Sequence, residues 1–150
     1  MEIILLIGIP ASGKSTFCMQ SFYDTHIRIN LDMLGARSKE NVFIEACLDA
    51  RQSFVVDNIN ITLESREKYI DIAKQLDIPI IAYFFETNLQ DAIERNEGRS
   101  GKERIPIVAI TAANKWLIAP SYTEGFDKLF RVKAQANFTF LVEEIPRQHN

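Results

Sequence analysis

The stretch that most constrains the fold is "IILLIGIPASGKST", residues 3–16, in which an unbroken apolar run gives way at Gly8 to small residues, a lysine and two hydroxyls. The run is far shorter than the roughly 20 residues a helix needs to cross a bilayer, and it lacks the basic start of a signal peptide. It reads as a strand buried on both faces. The loop after it, "GIPASGKS", fits G-x-x-x-x-G-K-[ST] at every fixed position, and a helical pattern follows. Strand, loop and helix in that order are the context that gives the pattern physical meaning. Gly8 and Gly13 permit backbone angles and a close approach that a Cβ would block, so loop N–H groups can converge on an anion. The start of the helix adds its positive dipole end. The loop residues Gly8, Pro10, Ala11, Ser12, Gly13, Lys14, Ser15 and Thr16 are therefore expected to hold the phosphates of a nucleoside triphosphate. Lys14 would bridge the outer phosphates, and the Ser15 hydroxyl would bind Mg2+. A glycine turn that only joins strand to helix is the alternative.

Along the rest of the chain, short β-branched or aromatic runs alternate with helical patterns, the signature of a parallel sheet with crossover helices. The strands are read as "EIILLIG", "HIRIN", "SFVVDN", "IPIIAYFFE" and "KLFRV", with "FTFLVEEI" as a short final edge strand. Ser15 to Phe22 reads as the first helix, and "NVFIEACLDARQ" repeats apolar residues through Phe43, Cys47 and Ala50. "LESREKYIDIAKQLD" places Tyr69, Ile72, Ala73 and Leu76 on one helical face. Thr62 is the expected N-cap there. Asn88 opens another helix, which Gly98 is expected to end in a left-handed cap. Ile107 to Ile118 reads as the last helix, stopped before Pro120. The fold expectation is α/β: a single-domain P-loop NTPase over residues 1–150, its parallel sheet flanked by helices on both faces, with a short basic lid. Residues 1–135 are expected to form the core and 136–150 a short edge strand and polar tail.

Composition narrows the function classes. A chain of 150 residues with 47% hydrophobic content has the size of one domain, and no second domain fits. A net charge of -3 argues against coating nucleic acid by bulk electrostatics, though a local basic pocket is compatible with it. Cys18 and Cys47 are too few for a disulfide framework, so core positions in a reducing cytoplasm are expected. Two histidines, His26 and His149, make no metal site. Membrane partners are not expected.

In a parallel sheet, ligands sit beyond the carboxyl ends of the strands, and three strand ends here carry carboxylates: Asp32, Asp57 and Glu86. Asp32 is the candidate general base, able to take the proton of an acceptor hydroxyl as its bond to phosphorus forms. Its alternative use is to cap the next helix through the Met33 and Leu34 amides. Asp57, ending a buried strand, is a candidate for the magnesium shell or for orienting the acceptor, or else a solvated strand end. "IERNEGRSGKERIP" places Arg95 and Arg99 four apart, on one helix face if the helix persists. They could clamp charge developing on the transferring group, or belong to a salt-bridged surface. Gly98 and Gly101 suit a mobile lid.

The ordered set of loop, "INLDMLG", "VVDNIN" with "SREKY", an arginine-bearing lid and "IP" before a helix resembles the kinase domain of polynucleotide 5′-kinases of the phage and animal end-healing type, over residues 3–132. The resemblance implies ATP-dependent phosphorylation of the 5′-hydroxyl end of DNA or RNA. It implies Asp32 as base, Lys14 and Ser15 on ATP and magnesium, and Asp57 supporting the acceptor. It further implies Arg99 as the lid arginine with Arg95 beside it, and Asn30, Asp32, Asn60 and Arg66 toward the substrate. The chain departs from the family's usual D-x-T-N-P, which reads "DNINI": Ile59 removes a hydroxyl and Ile61 a proline. Gly35, with Arg37 nearby, stands where several members carry an arginine. Two rival readings stay open: a small-molecule kinase resembling gluconate, shikimate or antibiotic kinases, and a non-kinase ATP-binding switch or NTPase.

Overall fold

The computed structural model describes residues 1–148, so His149 lies outside the described residues. Six strands form one sheet: β1 (Ile3–Ile7), β2 (Ile27–Ile29), β3 (Phe54–Val56), β4 (Ile80–Phe85), β5 (Lys128–Ala134) and β6 (Phe140–Glu144). Their order is β2-β3-β1-β4-β5-β6. The first five pair in parallel and β6 runs antiparallel at the edge. All six expected strands are present. The helices are α1 (Lys14–Ser21), α2 (Leu31–Leu34), α3 (Arg37–Ala50), α4 (Leu63–Leu76), α5 (Leu89–Glu97) and α6 (Ile107–Trp116).

Alternation along β1 builds two cores from one strand. Ile3, Leu5 and Ile7 face a cluster that includes Ile44 and Cys47 of α3 and Tyr69, Ile70 and Ala73 of α4. Ile4 and Leu6 face the opposite side, against Phe17 and Cys18 of α1. Burial on both faces holds for β1 and β3; β6, an edge strand, is mostly exposed. A third cluster lies under the phosphate loop, where Ile9 and Ala11 meet Ile61, Ala92 of α5 and Ile110 and Ala113 of α6. Because β1 sits between β3 and β4, the strand order reverses at its carboxyl end, where a crevice opens.

Several local expectations are corrected. In α3 the buried positions are Glu40, Ile44 and Cys47, while Phe43 and Ala50 face solvent. The reason is that Glu40, fully buried, is surrounded by Tyr69 Oη, Arg37 and Lys68, so a polar residue with its own partners holds a core-facing position. In α4, Tyr69 and Ala73 are buried as expected, together with Arg66 and Ile70, but Leu76 is exposed near the helix end. Thr62 does cap α4, in a capping box with Ser65. Asn88 caps α5, but Gly98 is right-handed at φ -77°, so no left-handed cap forms. His26 lies in the turn before β2 rather than in the strand. No helix among the described residues is long and apolar enough to cross a membrane.

Candidate active site

The loop between β1 and α1 closes tightly. At Gly8 an added Cβ would lie 2.9 Å from Phe85 Cβ and from Ser12 Oγ, and Gly13 takes φ +98°, a left-handed angle that glycine adopts freely. Lys14 is the first residue of α1, so its ammonium and the helix N-terminus share one end of the loop. Only 8% exposed, Lys14 donates from Nζ to Ile9 O at 2.8 Å and to Ser12 Oγ at 3.3 Å. Burial lowers its pKa to about 8 and the Arg99 charge adds to this, while the carboxylates of Asp57 and Asp32 oppose it. A desolvated cation held this way is poised for an anionic ligand.

A cavity of about 570 Å3 opens at the crevice. From the loop its walls take Pro10, Ala11, Gly13, Lys14, Ser15 and Thr16; Gly8 and the buried Ser12 lie behind, shaping the loop. From the ends of β2 and β3 come Arg28, Asn30, Asp32, Asp57, Asn58 and Ile59, and from the lid Arg99, Lys102, Glu103 and Ile105. Lys14, Arg28, Arg99 and Lys102 set four cations against the carboxylates of Asp32, Asp57 and Glu103. That balance is favourable for polyphosphate, although the whole chain is acidic.

Asp57, 2% exposed, follows β3 and accepts from Ser15 Oγ at 3.0 Å. Two hard oxygen ligands from opposite sides of the crevice are the donor chemistry that a magnesium ion takes. Asp32, by contrast, is exposed on the short α2 at the cavity wall. It does not cap that helix: Asn30 does, accepting from Met33 N at 2.8 Å. The carboxylate of Asp32 is thus left to the cavity. Asn58 fixes this region from the other side, accepting from Leu31 N at 2.8 Å, while its Nδ2 has no protein partner.

The structure commits several other expected residues to partners within the protein. Asn30 lines the cavity, but both ends of its amide are used on the backbone, the second donating to Asp57 O at 2.5 Å. Asn60 is 4% exposed and donates to Leu6 O at 2.9 Å, so it ties β1 to the segment after β3 and does not line the cavity. Arg66 is fully buried, pairs with Glu124 at 2.8 Å and donates to Asn60 O and Ile118 O; no charge remains for an acceptor. Arg37 is held by Glu40 and Tyr69 Oη. Arg95 and Arg99 do not share a helix face, because α5 stops at Glu97. Arg99 reaches the cavity; Arg95 instead donates to Ala11 O at 2.7 Å and steadies the loop from outside. Glu86 turns away to Arg131 at 2.6 Å. Of the two departures, Ile59 stands on the cavity wall and Ile61 is buried in the cluster under the loop.

Two residues at the site carry no motif signal. Arg28 lies on β2 two positions before Asn30, which directly follows the strand, so extended-chain alternation places both on one face. Asn96 is buried in α5 and makes reciprocal bonds with Ile105, Nδ2 to O at 2.7 Å and N to Oδ1 at 3.0 Å, which pin the base of the lid. No local pattern announces that pairing.

A match to the AAA domain family runs over residues 3–119. A bifunctional polynucleotide phosphatase/kinase of Schizosaccharomyces pombe is 33% identical over 138 residues, covering 87% of this chain and 33% of that protein. The chain spans a third or less of the length of the curated relatives it matches. Among solved structures, Kti12 of Chaetomium thermophilum in complex with ADP-AlF3 superposes with a TM-score of 0.65 at 17% identity, covering 87% of this chain and 88% of that one. A gluconokinase of Sinorhizobium meliloti superposes with a TM-score of 0.62 at 17% identity, covering 91% and 85%. At such identities these two likenesses speak to the fold. With its strand, phosphate loop and helix in the family's order, the chain belongs to the AAA domain family of P-loop nucleotide-binding proteins.

Proposed function

We propose that this chain is an ATP-dependent kinase that moves the γ-phosphate of ATP to the 5′-hydroxyl of a polynucleotide. The observation that carries the reading is the placement of Asp32, an uncommitted carboxylate, on the wall of the same cavity as Lys14, Ser15 and Asp57. The phosphatase/kinase relative supports the acceptor class. In this reading the loop amides, Lys14 and the start of α1 hold the phosphates. Magnesium, held by Ser15 and Asp57, would offset negative charge on the phosphates. Asp32 takes the proton from the acceptor hydroxyl as that oxygen bonds to the γ-phosphorus and the bond from γ-phosphorus to the bridging oxygen of ADP breaks. Arg99 and Lys102 face the transferring group from the lid, and the free Asn58 Nδ2 is a donor available to an acceptor oxygen.

A small-molecule kinase is the second reading, favoured by the acidic net charge. The two separate in one experiment: γ-labelled ATP is incubated with 5′-hydroxyl DNA and RNA oligonucleotides and with a panel of sugars. Label at oligonucleotide 5′ ends, lost in Asp32→Asn, is expected. Label in a metabolite but never in an oligonucleotide overturns the polynucleotide reading, and label only in free phosphate overturns transfer altogether.

A further inference from the structure

Arg28 contacts the two groups that form the candidate metal pair. Its Nε donates to Asp57 Oδ2 at 2.8 Å, the same oxygen that accepts from Ser15 Oγ, and its Nη2 donates to Ser15 Oγ at 3.4 Å. The guanidinium is held on its other edge, where Nη1 approaches Met33 Sδ at 3.9 Å. Its side chain is 29% exposed and the Asp57 side chain 1%. An almost fully buried carboxylate is therefore neutralised by a cation of the chain itself.

We propose that Arg28 is a positioning residue that competes with the divalent ion for Asp57 and Ser15. Asp57 Oδ2 already accepts from Ser15 Oγ and from Arg28 Nε, and Ser15 Oγ accepts from Arg28 Nη2, so a divalent ion that takes both oxygens meets a cation already bonded to the same two atoms. Metal entry then requires Arg28 to give up these bonds. A bare divalent ion has to displace it unaided, whereas a metal arriving with a polyphosphate brings oxygens that satisfy both the metal and the released guanidinium. Arg28 thereby biases the site against free metal and toward the metal-nucleotide complex. The inference rests on Ser15 and Asp57 as metal donors and is independent of which hydroxyl is phosphorylated.

The test uses Mn2+ alone as the probe, its binding to nucleotide-free protein followed by the loss of the free-ion signal in electron paramagnetic resonance. Arg28→Gln, which removes the charge and keeps a donor, is expected to bind Mn2+ at least about tenfold more tightly than the unsubstituted chain. The gain should vanish when Asp57→Asn is added. Equal or weaker Mn2+ binding in Arg28→Gln overturns the proposal, as does a gain that survives Asp57→Asn. Should Arg28→Gln fail to fold, Arg28→Lys decides by the same measurement, because one ammonium cannot span both oxygens and Met33 as the fork does. Affinity above that of the unsubstituted chain is then expected, and affinity equal to it or below it refutes competition. If Mn2+ binding follows these expectations while no oligonucleotide is labelled, the acceptor assignment fails and the role of Arg28 stands.

Discussion

Replacing Lys14 by methionine is expected to stabilise the nucleotide-free protein at neutral pH while abolishing nucleotide binding. Burial brings the Lys14 pKa to about 8 in the folded protein, against about 10.4 for an unfolded lysine. The folded state thus disfavours the charged form by roughly 2.4 pH units, or about 3 kcal/mol. The unfolded chain binds more protons than the folded one between those two values, so stability rises with pH through that window. Below pH 8 the whole burden is present. Lys14→Met removes it, but also removes the two hydrogen bonds to Ile9 O and Ser12 Oγ, worth about 1 kcal/mol each. The net gain at pH 7 is about 1 kcal/mol, or about 2–4 °C in Tm for a domain of this size. By pH 10 the native lysine is largely neutral and still bonded, so the order reverses and the variant is the less stable protein. Thermal unfolding at pH 7 and pH 10, with and without magnesium and ADP, reads both effects. The native protein alone should gain Tm from nucleotide, and its ADP affinity should fall about tenfold from pH 7 to pH 9 as the ammonium is lost. A variant less stable at both pH values by the same margin would falsify the view that Lys14 is charged at a cost to folding.

Asp32→Asn should retain ADP affinity and Tm while losing transfer by at least about a hundredfold; parallel loss of nucleotide binding would show a structural role instead. Arg66→Ala should cost about 3–5 kcal/mol in urea unfolding, because the Glu124 carboxylate and two backbone carbonyls lose their partner. A change under 1 kcal/mol would return Arg66 to the list of substrate candidates. Gly125→Ala should destabilise by about 1–3 kcal/mol, since its Cβ would stand 2.9 Å from Ile70 Cγ2 at φ +120°; unchanged stability would mean that this turn relaxes. Ile59→Thr, which restores a hydroxyl on the cavity wall, should alter the KM for the acceptor and leave that for ATP unchanged; equal effects on both would place Ile59 outside the acceptor side.

The parts legible in the sequence are those whose physics is local. The phosphate loop declares itself because two glycines, a lysine and a hydroxyl must occur at fixed spacing along a few residues of backbone. Asp32 follows from its place just beyond a strand, and the caps at Thr62 and Asn88 from side chains that bond within their own first turn. What stayed hidden depends on partners far away in sequence. Arg66 reads as an available cation until Glu124, 58 residues on, is seen to neutralise it. The rotation of α3 is not legible because Glu40 counts as polar in any periodicity argument, whereas with Arg37, Lys68 and Tyr69 around it the residue belongs to the interior.

The two departures in "DNINI" show why motif comparison alone weighs substitutions unevenly. They are two positions apart and look alike on paper, yet the backbone reverses sense between them: Asn60 takes φ +49° and anchors to Leu6 O. That anchor sends Ile59 outward to the cavity wall and Ile61 inward against Ile9, Ala92 and Ile110. Ile61 therefore acts on the support beneath the phosphate loop, where an added branched side chain is packed and matched by neighbours. Ile59 stands on the wall of the cavity that Met33 and Arg28 also line, the surface an acceptor would meet in the proposed reading. On the proposed reading, acceptor choice rests on one exposed side chain of the pair, and a difference in acceptor preference from relatives bearing a hydroxyl there should follow position 59 and not position 61.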